Sequence, residues 1–183
     1  MPNIFINNKR IKSFKKKIEV SGDKSLSIRW VLLASLASGI SKSSNLLLSE
    51  DVMAAIQAIR KLGIKVIINN KRCKIFGKGI QGYKYQKNIT INAKNSGTLA
   101  RLLPGLLINS THNIKILGDQ SLSKRDFKRI ADPLNEFGAK ILLKEGKQLP
   151  MTLKGSKNLQ PIKYFENKGS AQCKSSVMLA ALN

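Results

Sequence analysis

Apolar side chains recur at helical spacing over residues 52–62, at Val52, Ala55, Ile56, Ile59 and Leu62. A stripe with this spacing predicts an amphipathic helix that buries one face. Gly63 follows it directly, and a glycine in that place is typical of a left-handed C-cap. The next segments, "IKVIIN" and "RCKIFG", are rich in β-branched and apolar residues and predict two strands.

The same pattern returns further along the chain. The segment "SEDVMAAIQAIRKLGIKV" from Ser49 aligns with "KRDFKRIADPLNEFGAKI" from Lys124 at an offset of 75 residues, so that Gly63 falls on Gly138. A second set of helix starts aligns in the same way: "KSLSIRWVLLASL", "NSGTLARLLPGLL" and "GSAQCKSSVMLAAL". Such internal repetition predicts an α/β (α+β) fold of repeated βαβαββ units. The third unit would begin near Gly169, so we expect it to be incomplete at the C-terminus.

The charge of the chain is strongly unbalanced. Its 183 residues contain 33 Lys and Arg against 10 Asp and Glu, a net charge of +23. The excess lysines could simply cover solvated faces, or they could attract nucleic acid, phosphorylated metabolites or acidic lipid. Cys73, Cys173 and His112 lack the spacing of a zinc site or a Cys–His pair, which favours a reduced setting. No apolar run is long enough for a membrane span, and no signal peptide is recognised, so a cytoplasmic location is expected.

The three aligned helix starts share a small residue followed, four positions later, by a base. The pairs are Ser25 and Arg29, Gly97 and Arg101, and Ser170 and Lys174. The first N–H groups of a helix lack partners and carry partial positive charge, and a base one turn later can reach an anion bound there. The pattern therefore predicts phosphate or carboxylate sites. Plain N-capping by Ser21, Asp23 and Ser25 is the alternative.

Four motifs, in this order, resemble the signatures of the 5-enolpyruvylshikimate-3-phosphate (EPSP) synthase family: "SGDKSLSIR", "NSGTLAR", "GDQSLSKR" and "GSAQCKSSVMLAAL". The resemblance implies two domains of three βαβαββ units each. Residues 1–20 would supply the first strands of an otherwise missing domain. Residues 21–183 would form the N-terminal substrate-binding domain, with two units and the start of a third. The resemblance also implies a monomer when full length, which needs neither metal nor organic cofactor.

The implied reaction transfers the enolpyruvyl group of phosphoenolpyruvate to the 5-hydroxyl of shikimate 3-phosphate and releases phosphate, a step towards chorismate and the aromatic amino acids. The implied roles are Lys24 for both substrates, Ser25, Arg29 and Ser170 for shikimate 3-phosphate, Gly97 and Arg125 for phosphoenolpyruvate, and Gln172 for shikimate 3-phosphate and near phosphoenolpyruvate. The proton-transferring residues are expected outside this chain, so we expect the chain to be inactive alone.

Two other functions stay open at this point. The sister enzyme that acts on UDP-N-acetylglucosamine shares the implied fold, but it would show "KNA" and a mobile loop with a reactive cysteine. A basic nucleic-acid-binding module would fit the charge, although only 5% of the residues are aromatic and the lysines are scattered. Three positions depart from the EPSP synthase pattern: Ser21 and Asp126 replace the usual proline, and Ile28 replaces a common histidine. The negative charge of Asp126 is expected to weaken anion binding at Arg125.

Overall fold

The structure, a computed structural model, describes residues 17–183 together with Ile6, Ser13 and Lys15. Most of the segment predicted to belong to a second domain, residues 1–20, therefore lies outside the described residues. The helices are α1 (Lys24–Leu36), α2 (Glu50–Lys61), α3 (Gly97–Leu106), α4 (Gln120–Ser123), α5 (Lys128–Glu136) and α6 (Ala171–Ala180). The strands are β1 (Ser38–Ser43), β2 (Lys65–Asn69), β3 (Arg72–Lys78), β4 (Ile89–Asn92), β5 (Ile114–Leu117), β6 (Lys140–Lys144) and β7 (Gln148–Lys154).

Three strands in each sheet follow the same order, which confirms the predicted repeat. Strands β1, β3 and β2 form an antiparallel sheet in that order. In the other sheet, β5, β7 and β6 repeat this order and β4 adds a parallel strand beside β5. The second unit thus runs β4, α3, β5, α5, β6, β7, and the short helix α4 precedes α5. The first unit lacks a leading strand within residues 17–23.

Both predicted glycine caps are present. Gly63 and Gly138 have φ angles of +85° and +107°, values that side chains with a Cβ rarely adopt. In each copy the residue after the glycine donates its N–H back to the last turn of the helix. Ile64 N lies 3.0 Å from Ile59 O, and Ala139 N lies 3.2 Å from Leu134 O. These bonds are those of a Schellman motif, and they turn the chain from each helix into the following strand.

The second helix of the second unit is shorter than predicted. The alignment predicts a helix from about Lys124, whereas α5 begins at Lys128. The carboxylate Oδ1 of Asp126 accepts a hydrogen bond from Lys128 N at 2.7 Å and so occupies one free donor of the first turn. The preceding residues form the separate helix α4 and a turn. Arg125 therefore lies in the connection between two helices.

Helix α3 forms the centre of the core, because all of its residues except Arg101 are buried. Helix α6 packs along it so closely that a Cβ added at Gly105 would lie 2.2 Å from the carbonyl oxygen of Ser176. Only a residue without a side chain permits this approach. Ile28 is fully buried in the same core, so the residue that replaces a common histidine contributes to packing. Among the described residues, no helix is long and apolar enough to cross a membrane.

Candidate functional site

Each of the three aligned helices starts with a side-chain cap. Asp23 accepts from Leu26 N at 2.7 Å, Ser96 from Leu99 N at 3.3 Å, and Ser170 from Cys173 N at 3.3 Å. These capping residues do not align with one another in the repeat. The aligned small residues consequently occupy three different places: Ser25 is the second residue of α1, Gly97 the first residue of α3, and Ser170 the N-cap of α6. The three helix starts are related, but they are not equivalent anion sites.

Three of the predicted site residues come together at the start of α3. A Cβ built on Gly97 would lie 3.3 Å from Nη1 of Arg125, which places that guanidinium against the first turn of the helix. Gln172, in the first turn of α6, donates from Nε2 to Thr98 Oγ1 at 3.0 Å. The three residues belong to α3, to the connection after α4, and to α6. Packing of these elements therefore joins positions that are 28 to 75 residues apart in sequence.

A fourth residue, Arg101, lies inside this cluster. The alignment pairs it with Arg29, but the resemblance gives it no role. Its Nη1 would lie 2.9 Å from a Cβ at Gly97 and is 3.1 Å from Gln172 Oε1. The repeat already identifies it as a base that lies one turn after the small residue and could reach an anion at this helix start. Sequence alone gives no indication that its guanidinium would reach across to α6.

The other predicted residues lie nearby but make different contacts. Lys24 pairs with Asp51 at 3.0 Å, with 53% of its side chain exposed. Arg29 lines an apolar groove of about 280 Å³ between α1, α3 and α6, together with Leu102 and Met178. Ser25 is half-buried in the first turn of α1. Among the described residues, no hydrogen bond or ion pair joins these three side chains to the Gly97 cluster, so the structure yields two neighbouring groups.

Positive charge dominates the cluster. Arg101, Arg125 and Arg129 all lie close to the start of α3, and of these only Arg129 forms an ion pair among the described residues, with Glu166. Burial lowers the pKa of Arg101, and the charges of Arg125 and Arg129 lower it too, whereas Cys173 and Asp126 act in the opposite direction. The carboxylate of Asp126 contacts the first turn of α5. The charge of Asp126 is expected from the sequence to weaken anion binding at Arg125, and this effect stays a prediction.

Glu166 and Tyr164 secure the segment before α6. The hydrogen bond from Tyr164, together with those from Lys168 N and Arg129, lowers the pKa of Glu166 to about 2. Burial and the same bond raise the pKa of Tyr164. Only 6% of the Glu166 side chain is exposed. This ion pair connects α5 to the segment that leads into α6.

A cavity near the other end of α3 does not include any predicted site residue. Its volume is about 680 Å³, and Leu107, Tyr85 and His112 are among the residues that line it. The hydroxyl of Tyr85 is already hydrogen-bonded to Ser110, and the lysines at its rim are exposed. Within residues 17–183, no group of His, Cys, Asp and Glu side chains is arranged to hold a metal ion. The candidate site is therefore the cluster at Gly97.

The family model described as EPSP synthase (3-phosphoshikimate 1-carboxyvinyltransferase) matches residues 8–183. The chain belongs to the EPSP synthase family. It is 43% identical over 166 residues to the 3-phosphoshikimate 1-carboxyvinyltransferase of Streptococcus pyogenes serotype M2 (strain MGAS10270), which covers 90% of this chain and 38% of that protein. The serotype M1 protein matches with the same identity and coverage.

Solved structures agree with this membership of the EPSP synthase family. An EPSP synthase from Acinetobacter baumannii superposes with a TM-score of 0.85 at 37% identity, over 92% of this chain and 38% of that one. A second structure of EPSP synthase from the same organism gives a TM-score of 0.86 at the same identity, over 93% of this chain and 39% of that one. The EPSP synthase family and the α/β fold of repeated units are confirmed, whereas the division into two domains stays a prediction. The chain spans about two fifths of the length of the relatives it matches.

Proposed function

We propose that this chain supplies the part of an EPSP synthase site that holds two phosphorylated anions, shikimate 3-phosphate and phosphoenolpyruvate. The protein that contains it would transfer the enolpyruvyl group to the 5-hydroxyl of shikimate 3-phosphate and release phosphate. The observation that carries the proposal is the convergence of Gly97, Arg125 and Gln172 at the starts of α3 and α6. Membership of the EPSP synthase family supports the choice of substrates.

The physical case rests on charge and space. Gly97 has no side chain, so an anion can approach the first N–H groups of α3, which carry the positive end of the helix dipole. Arg125 is exposed and is not ion-paired among the described residues, and a guanidinium binds phosphate or carboxylate through two parallel hydrogen bonds. We assign phosphoenolpyruvate to Gly97 and Arg125. Gln172 would lie between the two ligands.

Shikimate 3-phosphate is assigned to the starts of α1 and α6. Lys24, Ser25 and Arg29 would contact it from α1, and Ser170 and Gln172 from α6. Lys24 is the residue proposed to touch both substrates. Its ion pair with Asp51 is more than half exposed on the lysine side, so an incoming phosphate could replace this carboxylate at little cost.

Catalysis also needs groups that move a proton to and from phosphoenolpyruvate. Near the site, each carboxylate is engaged by the fold itself: Asp23 and Asp119 cap helices, Asp51 pairs with Lys24, Asp126 contacts α5, and Glu166 pairs with Arg129. We therefore expect the 183-residue chain alone to bind shikimate 3-phosphate weakly and to release no measurable phosphate. The proposed reaction needs neither metal nor organic cofactor.

Titration calorimetry of shikimate 3-phosphate tests the proposal. Arg29→Ala should weaken binding at least about tenfold, because a phosphate loses its charged partner. Lys157→Ala, an exposed lysine beside the cavity near His112, is the matched control and should change affinity less than about twofold. Equal losses would point to the general charge of +23 and not to a site. A steep dependence of affinity on salt would instead favour nucleic-acid binding.

Binding of UDP-N-acetylglucosamine in preference to shikimate 3-phosphate would favour the sister enzyme. Both cysteines of this chain, Cys73 and Cys173, are buried, whereas that alternative expects a reactive cysteine in a mobile loop. A cytoplasmic location and a monomeric full-length protein complete the proposal. Sedimentation of the full-length protein checks the second of these.

A further inference from the structure

Arg101 contacts all three segments that form the candidate site. Its Nη1 donates to Gln172 Oε1 in α6 at 3.1 Å and to the carbonyl of Gly97 in its own helix at 3.4 Å. Its Nη2 donates to the carbonyl of Asp126, the residue after Arg125, at 3.3 Å. One side chain therefore ties together Gly97, Gln172 and the turn that carries Arg125.

The contacts of this guanidinium hold it in one position and orientation. It lies over the ring of Phe127, with 4.8 Å between Cζ and the ring centre, and the ring itself is fully buried. Among the described residues its hydrogen-bond acceptors are two main-chain carbonyls and one amide, and no carboxylate pairs with it. Such a group is held by dipoles and by a cation–π contact, which fix its plane as well as its position.

Gln172 is the side chain most dependent on this contact. A guanidinium has only donors, so Arg101 can bind the amide of Gln172 only through its oxygen. The Nε2 group must then face Thr98, and its bond to Thr98 Oγ1 uses one of its two hydrogens. The second hydrogen remains available for an anion. Without Arg101 the amide could turn over and present its oxygen, which repels an anion.

We propose that Arg101 is a positioning residue that orients the amide of Gln172 and the Arg125 turn around Gly97, so that Gln172 and Arg125 both offer donors to an anion at the start of α3. The inference rests on the proposed function. Arg101 acts through Gln172 and Arg125, and it need not touch the ligand. A lysine in its place keeps the charge but has a single nitrogen, which cannot reach acceptors in three segments at once.

Two readouts on the 183-residue chain test this role. The first is the NMR order parameter of the Gln172 side-chain Nε2 group. The second is the affinity for phosphoenolpyruvate, the anion assigned to Gly97 and Arg125, measured by calorimetry with shikimate 3-phosphate present. Arg101→Lys should lower the order parameter from about 0.85 to below about 0.6 and should weaken binding at least about tenfold. The control is Arg72→Lys, an exposed position on β3, which should leave both unchanged.

The outcomes separate the alternatives. An unchanged order parameter in Arg101→Lys overturns the proposal, even with weaker binding, because Arg101 would then act on the ligand directly. A mobile Gln172 with unaltered affinity overturns it as well. If wild type does not bind shikimate 3-phosphate, the proposed function fails, and the order parameter alone decides the positioning role. If Arg101→Lys does not fold, Thr98→Val removes the other bond to the same amide and leaves Arg101 in place. Gln172 should then stay rigid, and a mobile Gln172 in that variant would contradict the inference.

Discussion

The close packing of α3 on α6 makes Gly105→Ala the sharpest test of how the site is built. A Cβ at position 105 would lie 2.2 Å from the carbonyl oxygen of Ser176 and 3.0 Å from its carbonyl carbon. These are main-chain atoms, so no side-chain rotation can relieve the contact. Helix α6 would have to move away by about 1 Å to restore an ordinary separation. Because Gln172 is on α6, the site would open with it.

Two opposing effects set the size of the loss in stability. Alanine is a better helix former than glycine by at most about 1 kcal/mol, and this gain stabilises α3. Overpacking costs about 1–3 kcal/mol, and a clash between two main chains belongs at the upper end. We therefore expect Gly105→Ala to lower the free energy of unfolding by about 2 kcal/mol. For a chain of this size the melting temperature should fall by about 4–8 °C.

Gly97→Ala in the same helix is the matched control. Its Cβ would meet the ends of two side chains, Arg101 at 2.9 Å and Arg125 at 3.3 Å. A shift of a few tenths of an ångström at these side-chain ends relieves both contacts, so the free energy of unfolding should change by less than about 1 kcal/mol. The added methyl group does, however, occupy the space proposed for the anion. Circular dichroism melting should thus separate the two variants.

The result that would refute this reasoning is a Gly105→Ala protein that melts within about 1 °C of wild type. The α3–α6 interface would then be more adaptable than its main-chain contact implies. A larger loss in Gly97→Ala than in Gly105→Ala would also contradict it, because the arginine ends would then resist displacement more than a helix does.

Two further predictions concern the ion pair between Arg129 and Glu166 and the start of α1. The pKa of Glu166, about 2, lies below its ordinary value of 4.5, so its ionised form stabilises the fold above about pH 4.5 and this contribution is lost as the pH falls towards 2. Glu166→Gln should therefore have a lower melting temperature than wild type at pH 7, and the difference in melting temperature should narrow below pH 4.5. A difference that does not change with pH would contradict the assignment. Glu145→Gln, at a side chain that is 62% exposed, is the control. Asp23→Ala removes the cap of α1 and should lower the free energy of unfolding in urea by about 1 kcal/mol. Lys24→Ala breaks a half-exposed ion pair and should lower it by less. The reverse order of the two losses would argue against capping.

Local patterns in the sequence were enough to predict the repeat and its helix ends. Gly63 and Gly138 were identified from their place after an apolar stripe, because a left-handed cap depends on a few consecutive residues. The buried faces of α2 and of the strands after it follow from spacing for the same reason. The four ordered motifs were also sufficient to predict the family, since each motif is a short contiguous segment.

The start of α5 shows where such patterns fail. The alignment of Asp51 with Asp126 predicted two similar helices, but Asp51 lies in the first turn of α2, whereas Asp126 precedes α5. Phe127 is fully buried beneath Arg101, and the chain must bend to place it there. The burial of Phe127 outweighed the weak local preference of these residues for a helix. The local pattern does not indicate how deeply a side chain will be buried.

By itself the sequence determined the units, their order, the caps and the kinds of residue available to an anion. Only the tertiary structure decided which of them meet. Gln172 reaches Arg101 because Gly105 lets α6 approach α3 to main-chain contact at Ser176, and both contacts join residues 71 positions apart along the chain. Helix spacing fixes neighbours within a turn, whereas contacts between helices depend on how the whole core fills its volume.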